Sequence, residues 1–117
     1  MYGFKRDLEI HNLIGAEIIQ IRLGLCDVQF NFDSGHVFSA EGLVEVLQKE
    51  TLIAYWNAEI GWSDRSCLSL LNSGVKEYKV LSNRLLELRL KEDLFLHFHD
   101  DSEHYECLHI HPEGIIA

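Results

Sequence analysis

Histidine carries most of the chemical capacity in this sequence. Five of its seven histidines, His97, His99, His104, His109 and His111, fall within the last 21 residues, with Cys107 among them. Neutral imidazole and thiolate are zinc ligands, and four such donors around one point hold the ion tetrahedrally. On adjacent antiparallel strands, pairing Leu96 with Leu108 and Leu94 with Ile110 keeps the apolar residues on one face, because side chains alternate strictly. That register puts His97, His99, Cys107 and His109 on the opposite face, with His97 across from Cys107. These four are the candidate metal ligands, and zinc is the one cofactor the sequence suggests. The competing reading is a polar outer face, since neighbouring positions on a flat strand point in parallel rather than converging.

Nucleophilic chemistry has less to work with. Cys26 has no histidine near it in sequence, and Cys67 lies on the apolar stripe of a candidate helix. A Cys107–His97 pair lacks a third group to orient it. Ser34 and Ser102 occupy turns, where serine needs no further reason. The eight glycines are scattered and form no phosphate-binding loop. No catalytic residue is assigned, and the expected protein is not an enzyme.

Charge is distributed unevenly. Residues 91–117 hold seven carboxylates, Glu92, Asp93, Asp100, Asp101, Glu103, Glu106 and Glu113, against Lys91 alone, which is six of the nine net negative charges. Such a run ordinarily solubilises a surface, yet it also suits electrostatic steering of a basic partner. The turn at Asp100-Asp101-Ser102-Glu103 is therefore expected to face that partner. Trp56 and Trp62, flanking the five residues between them, add two anchors of the type enriched at interface hot spots, although packing inside a core is their commoner use.

These residues need strands to position them. Ile19, Ile21 and Leu23 alternate with Gln20 and Arg22, and Val28, Phe30 and Phe32 with Gln29 and Asn31, as half-buried strands do. Asp33-Ser34-Gly35 then turns the chain into a strand at 36–40. Residues 41–60 fit two patterns, a hairpin turning at Gln48-Lys49-Glu50 or a helix with Leu43, Val44, Val46 and Leu47 on its stripe. Ser63 suits the N-cap of a short helix near 63–72, with Asp64 at the positive end of its dipole and Cys67, Leu68 and Leu71 clustered at helical spacing. Strands follow at 75–80, 84–90, 94–99 and about 104–111. The segments 19–32 and 86–98 read alike, so two β-meanders are expected to form a curved sheet or a sandwich. The fold class is α+β, mainly antiparallel β.

At 117 residues the chain makes a single domain (1–117) that can bury a core without disulfides or metal. Ten basic against 19 acidic residues disfavour nucleic acid and anionic membranes as partners. Three cysteines at wide spacings suit a reducing cytoplasm rather than secretion. No apolar signal core follows the start, and the longest apolar run, Leu52 to Trp56, is far below the ~20 residues of a membrane span.

The segments 16–40 and 84–111, with Asp93-Leu94-Phe95-Leu96-His97-Phe98-His99-Asp100-Asp101 closing on Tyr105-Glu106-Cys107-Leu108-His109-Ile110, resemble small acidic bacterial immunity proteins. These belong to polymorphic and contact-dependent growth-inhibition toxin systems. The resemblance implies a non-enzymatic inhibitor that masks a basic toxin domain, and it brings no residue motif with it. The alternatives are a small metal-binding protein using the histidine-rich hairpin, or an accessory or homodimeric β protein.

Overall fold

The computed structural model describes residues 3–101 and 107–117. Eleven strands build two sheets: β1 (Ile18–Leu23), β2 (Val28–Phe32), β3 (Val37–Ala40), β4 (Val44–Gln48), β5 (Thr51–Asn57), β6 (Gly61–Trp62), β7 (Val75–Ser82), β8 (Leu85–Leu90), β9 (Leu94–His99), β10 (Leu108–His111) and β11 (Ile115–Ile116). One sheet runs β1-β2-β3-β10-β11 and the other β6-β5-β4-β9-β8-β7, with every named pair antiparallel. The alternation seen in sequence decides which face turns inward. Val28, Phe30 and Phe32 are buried in β2, and Leu94, Leu96 and Phe98 in β9. The sheets meet through aromatic rings: Phe98 lies 5.5 Å from Phe30 and 5.3 Å from Phe38, centroid to centroid. Edge-to-face and tilted pairs at this distance add to plain area burial. The fold is a sandwich of two sheets.

Of the two expected meanders the first is present as β1-β2-β3. The second, expected from the strands at 84–90, 94–99 and 104–111, is not: β10 joins the other sheet, and the meander that forms is β7-β8-β9. Segment 41–60 is the hairpin β4–β5, in which Val44 and Val46 point inward and Lys49 turns the chain at φ 58°. The expected helix is a 3-10 segment, Arg65–Leu70, capped by Asp64 rather than Ser63. The Asp64 carboxylate accepts from the Ser66 N–H at 2.8 Å, and the Ser66 side chain and backbone hold its pKa below the ordinary value. The three-residue period turns Cys67 and Leu70 inward and leaves Leu68 and Leu71 exposed, breaking the α-helical stripe.

The hairpin of β9 and β10 expected from the leucine pattern does not form. Leu96 pairs with Val46 on one side and Leu88 on the other, while Leu108 pairs with Ala40. Both edges of β9 are already occupied by β4 and β8, so the chain crosses to the other sheet and adds β10 beside β3. Of the expected strand at 104–111, residues 108–111 are β10 and 104–106 lie outside the described residues. The two crossings between sheets touch at one corner. Cys107 O accepts from the N–H groups of Glu41 (2.8 Å) and Gly42 (3.3 Å), and the His99 N–H donates to Leu43 O at 3.0 Å.

The three thiols sit in different surroundings. Cys26 is exposed in the β1–β2 turn, whereas Cys67 and Cys107 are buried, and burial pushes the Cys67 thiol above its ordinary pKa. Thiolate character and access set reactivity. An aromatic disulfide reagent is therefore expected to modify one thiol, Cys26, in the folded protein and all three after denaturation. Two fast thiols under native conditions would contradict this packing.

Candidate functional site

Alternation that buries one face of the six-stranded sheet also fixes what the other face carries. Paired residues share a face, so Tyr55, Glu45, His97, Glu87 and Lys79 form one row across β5, β4, β9, β8 and β7. The next row holds Leu52, Leu47, Phe95, Arg89 and Glu77. A polar row thus runs beside a row that is apolar over three of its five positions. Where these rows meet the β4–β5 and β8–β9 turns, a shallow open concavity of about 760 Å³ is lined by Leu47, Phe95, Glu50, Glu87, Asp93 and His97, with Lys49 and Thr51 at its rim. Three carboxylates there face one lysine.

His97 in the polar row and His99, two residues further along β9, are both held by carboxylates. His97 Nε2 lies 2.9 Å from Glu87 Oε2, and His99 Nε2 lies 2.5 Å from Glu45 Oε1. The two rings, on residues i and i+2 of one strand, are 6.4 Å apart. One ring nitrogen of each imidazole and a carboxylate oxygen of Glu45 all come within 4.8 Å of one another.

The metal set expected from sequence is divided. His97 and His99 project from the outer face of β9, whereas His109 lies on β10 in the other sheet and stacks on His111 at 6.4 Å. Cys107 is buried where the chain crosses, its Sγ 3.4 Å from Asp101 Oδ1. His97, His99, Cys107 and His109 therefore cannot share one ion. The cause is topological: β10 joins β3, not β9.

The expected acidic face is divided as well. Glu92 and Asp93 lie in the turn before β9, and Asp100 and Asp101 follow its other end. Six extended residues separate the two pairs by about 20 Å. Asp100 is only 3 % exposed, with its backbone N–H donating to Arg84 O and its carbonyl accepting from Arg84 Nη1. Asp101 is exposed and accepts from the Leu43 N–H at 3.2 Å. Glu103 and Glu106 lie outside the described residues. Trp56, 3 % exposed, belongs to the core and is no surface anchor, whereas Trp62 is half-buried with its ring T-shaped against Phe30.

Sequence reasoning missed Glu45, Glu87, Leu47 and Phe95. Glu87 and Phe95 each lie between two buried residues, so their outward position was readable, whereas Glu45 and Leu47 fall in the segment that fitted two patterns, and their neighbours on β9 are some fifty residues away. It also missed a polar clasp at the end of the other sheet. His36 is buried, with Nδ1 2.7 Å from Ser34 Oγ and Nε2 2.7 Å from Glu113 Oε2. Hydroxyl, imidazole and carboxylate stand in the order of a nucleophilic triad. Yet Ser34 Oγ also accepts from the His36 N–H at 3.4 Å, as a serine closing its own turn does. The clasp fastens the β2–β3 turn to the β10–β11 turn.

No protein-family model, no curated protein and no solved structure matches the chain. Among the described residues, no helix is long and apolar enough to cross a membrane.

Proposed function

We propose that this chain is a non-enzymatic binding protein that masks a basic domain of a toxin, in the manner of an immunity protein, through the outer face of its six-stranded sheet. The observation that carries this reading is the concavity in which Leu47 and Phe95 form an apolar floor beside Glu50, Glu87 and Asp93. A lysine or arginine inserted there lays its hydrocarbon stem on the floor and its charged head among the carboxylates. A net charge of −9 raises the encounter rate with a basic surface before any contact forms. A cytoplasmic site of action belongs to the same reading, since cysteine thiols stay reduced there.

The binding face differs from the one expected from sequence alone. Substitution at Asp100 would disturb a buried residue, so it is a poor probe of a surface. The test is association of the chain with the protein encoded by the adjacent gene, measured at low and high salt. Replacing Glu50 and Asp93 with lysine is expected to slow association about tenfold or more and to flatten its salt dependence, since exposed charges act mainly on encounter. Asp101→Asn, at the far end of β9, should leave the rate unchanged. Equal rates in wild type and the double variant would remove this face from the interaction, and no association at all would remove the immunity reading.

A further inference from the structure

We propose that Glu45, His97 and His99 form a binding site for a divalent first-row metal ion, zinc above all, on the outer face of the six-stranded sheet. This goes beyond the partner-binding reading and does not depend on it, because it concerns the isolated chain. Two imidazoles and one carboxylate are donors suited to such ions, which take nitrogen and oxygen ligands at about 2.0–2.2 Å. In a tetrahedral site those bonds place donor atoms roughly 3.3 Å apart. The three donors already lie within 4.8 Å of one another, so small side-chain rotations close the site without moving the strands.

The backbone supplies the convergence that a single flat strand lacks. His97 and His99 come from β9, and Glu45 reaches them from β4, where it is paired directly opposite His97. Its contact with His99 runs diagonally to the next position along the strand. The third donor thus approaches from beside the first two.

A second feature favours a ligand. Glu87, opposite His97 on β8, holds that ring by Nε2 at 2.9 Å. Metal-bound imidazoles characteristically donate their other ring N–H to a carboxylate, which fixes tautomer and orientation and raises ligand basicity. Glu87 is placed to do this while Nδ1 of His97 binds the ion. It is a positioning residue, whereas Glu45, His97 and His99 are ligands. The side chains of His97, His99 and Glu45 are 16 %, 27 % and 27 % exposed, so the fourth coordination position opens to solvent and takes a water molecule.

The experiment titrates ZnCl2 into the full chain after removal of metals by chelator, with Co2+ as a spectroscopic substitute. One equivalent is expected to bind, and the Co2+ complex should show ligand-field bands in the visible. His97→Ala, His99→Ala and Glu45→Gln should each abolish saturable binding, and Glu45→Gln keeps the side-chain shape should either alanine variant fail to fold. Glu87→Gln is expected to weaken affinity about 10- to 100-fold, the usual consequence of losing an orienting carboxylate. His109→Ala with His111→Ala, in the opposite sheet, should bind as wild type does. Absence of saturable binding by wild type, or binding that survives Glu45→Gln and is lost in the His109/His111 variant, overturns the proposal. Unchanged affinity in Glu87→Gln overturns the role given to Glu87.

Discussion

Phe98→Ala is expected to remove about 3–5 kcal/mol of folding stability, the range for deleting a buried aromatic side chain. Phe98 is 1 % exposed and touches Phe30 and Phe38, which belong to two strands of the facing sheet. Its ring is therefore shared by both halves of the core, and neither sheet can move in to fill the space without breaking its own pairing. A domain of this size has roughly 5–15 kcal/mol in total, so the variant should lose about a fifth or more of it. At about 4 °C per kcal/mol, the melting temperature should fall by about 12–20 °C. Phe98→Leu keeps much of the volume and should cost less than about half as much. Denaturant unfolding of the three proteins checks this, and a loss below ~1 kcal/mol in the alanine variant would mean that the sheets do not close on Phe98.

Gly42→Ala is the second large effect. A Cβ at this position would lie 2.6 Å from the His99 carbonyl oxygen, 2.9 Å from Asp101 Oδ1 and 3.0 Å from Cys107 Cβ. Carbon and oxygen do not approach to 2.6 Å without displacement, and a backbone carbonyl cannot rotate away as a side chain can. Both crossings between the sheets meet at this corner, where the Gly42 N–H donates to Cys107 O and the His99 N–H to Leu43 O. Overpacking here is expected to cost about 2–3 kcal/mol, toward the upper end for an added methyl group in a filled site. Gly74 is the control. It is also buried, but a Cβ there meets Lys91 Cε at 3.1 Å, the far end of a flexible side chain that can swing aside. Gly74→Ala should cost less than about 1 kcal/mol. Equal losses at the two glycines in urea titrations would show that the corner is looser than its geometry.

Strand identity was legible because it depends on local pattern. In β2, β8 and β9 the buried and outward residues alternate without a break, so period-two hydrophobicity placed those strands and their inner faces directly. The same pattern left 41–60 open, since Val44, Val46 and Leu47 satisfy both periods. Long-range pairing settled it, because the β4 edge is needed to cover β9. The short helix was visible from the spacing of Cys67, Leu68 and Leu71, but neither its Asp64 cap nor its 3-10 winding was, the winding following from packing Cys67 and Leu70 against the core.

The amino-acid sequence by itself determined the first meander, the inward residues of β2, β8 and β9, the acidic charge and the outward placement of His97 and His99. It did not determine the inner face of β1, where Ile18 is buried and Ile19 and Leu23 are exposed. Only the tertiary structure decided which strands became neighbours. Alternation specifies the face of a residue but says nothing about its partner across a gap of fifty residues, and backbone hydrogen bonds join any two strands of compatible length. That is why the leucine pattern favoured a β9–β10 hairpin, whereas the sandwich places β4 and β8 on either side of β9 and sends β10 to the other sheet. The same choice of neighbours separated His97 and His99 from Cys107 and His109, put Glu92 and Asp93 a strand's length from Asp100, and brought Glu45 and Glu87 against the two histidines.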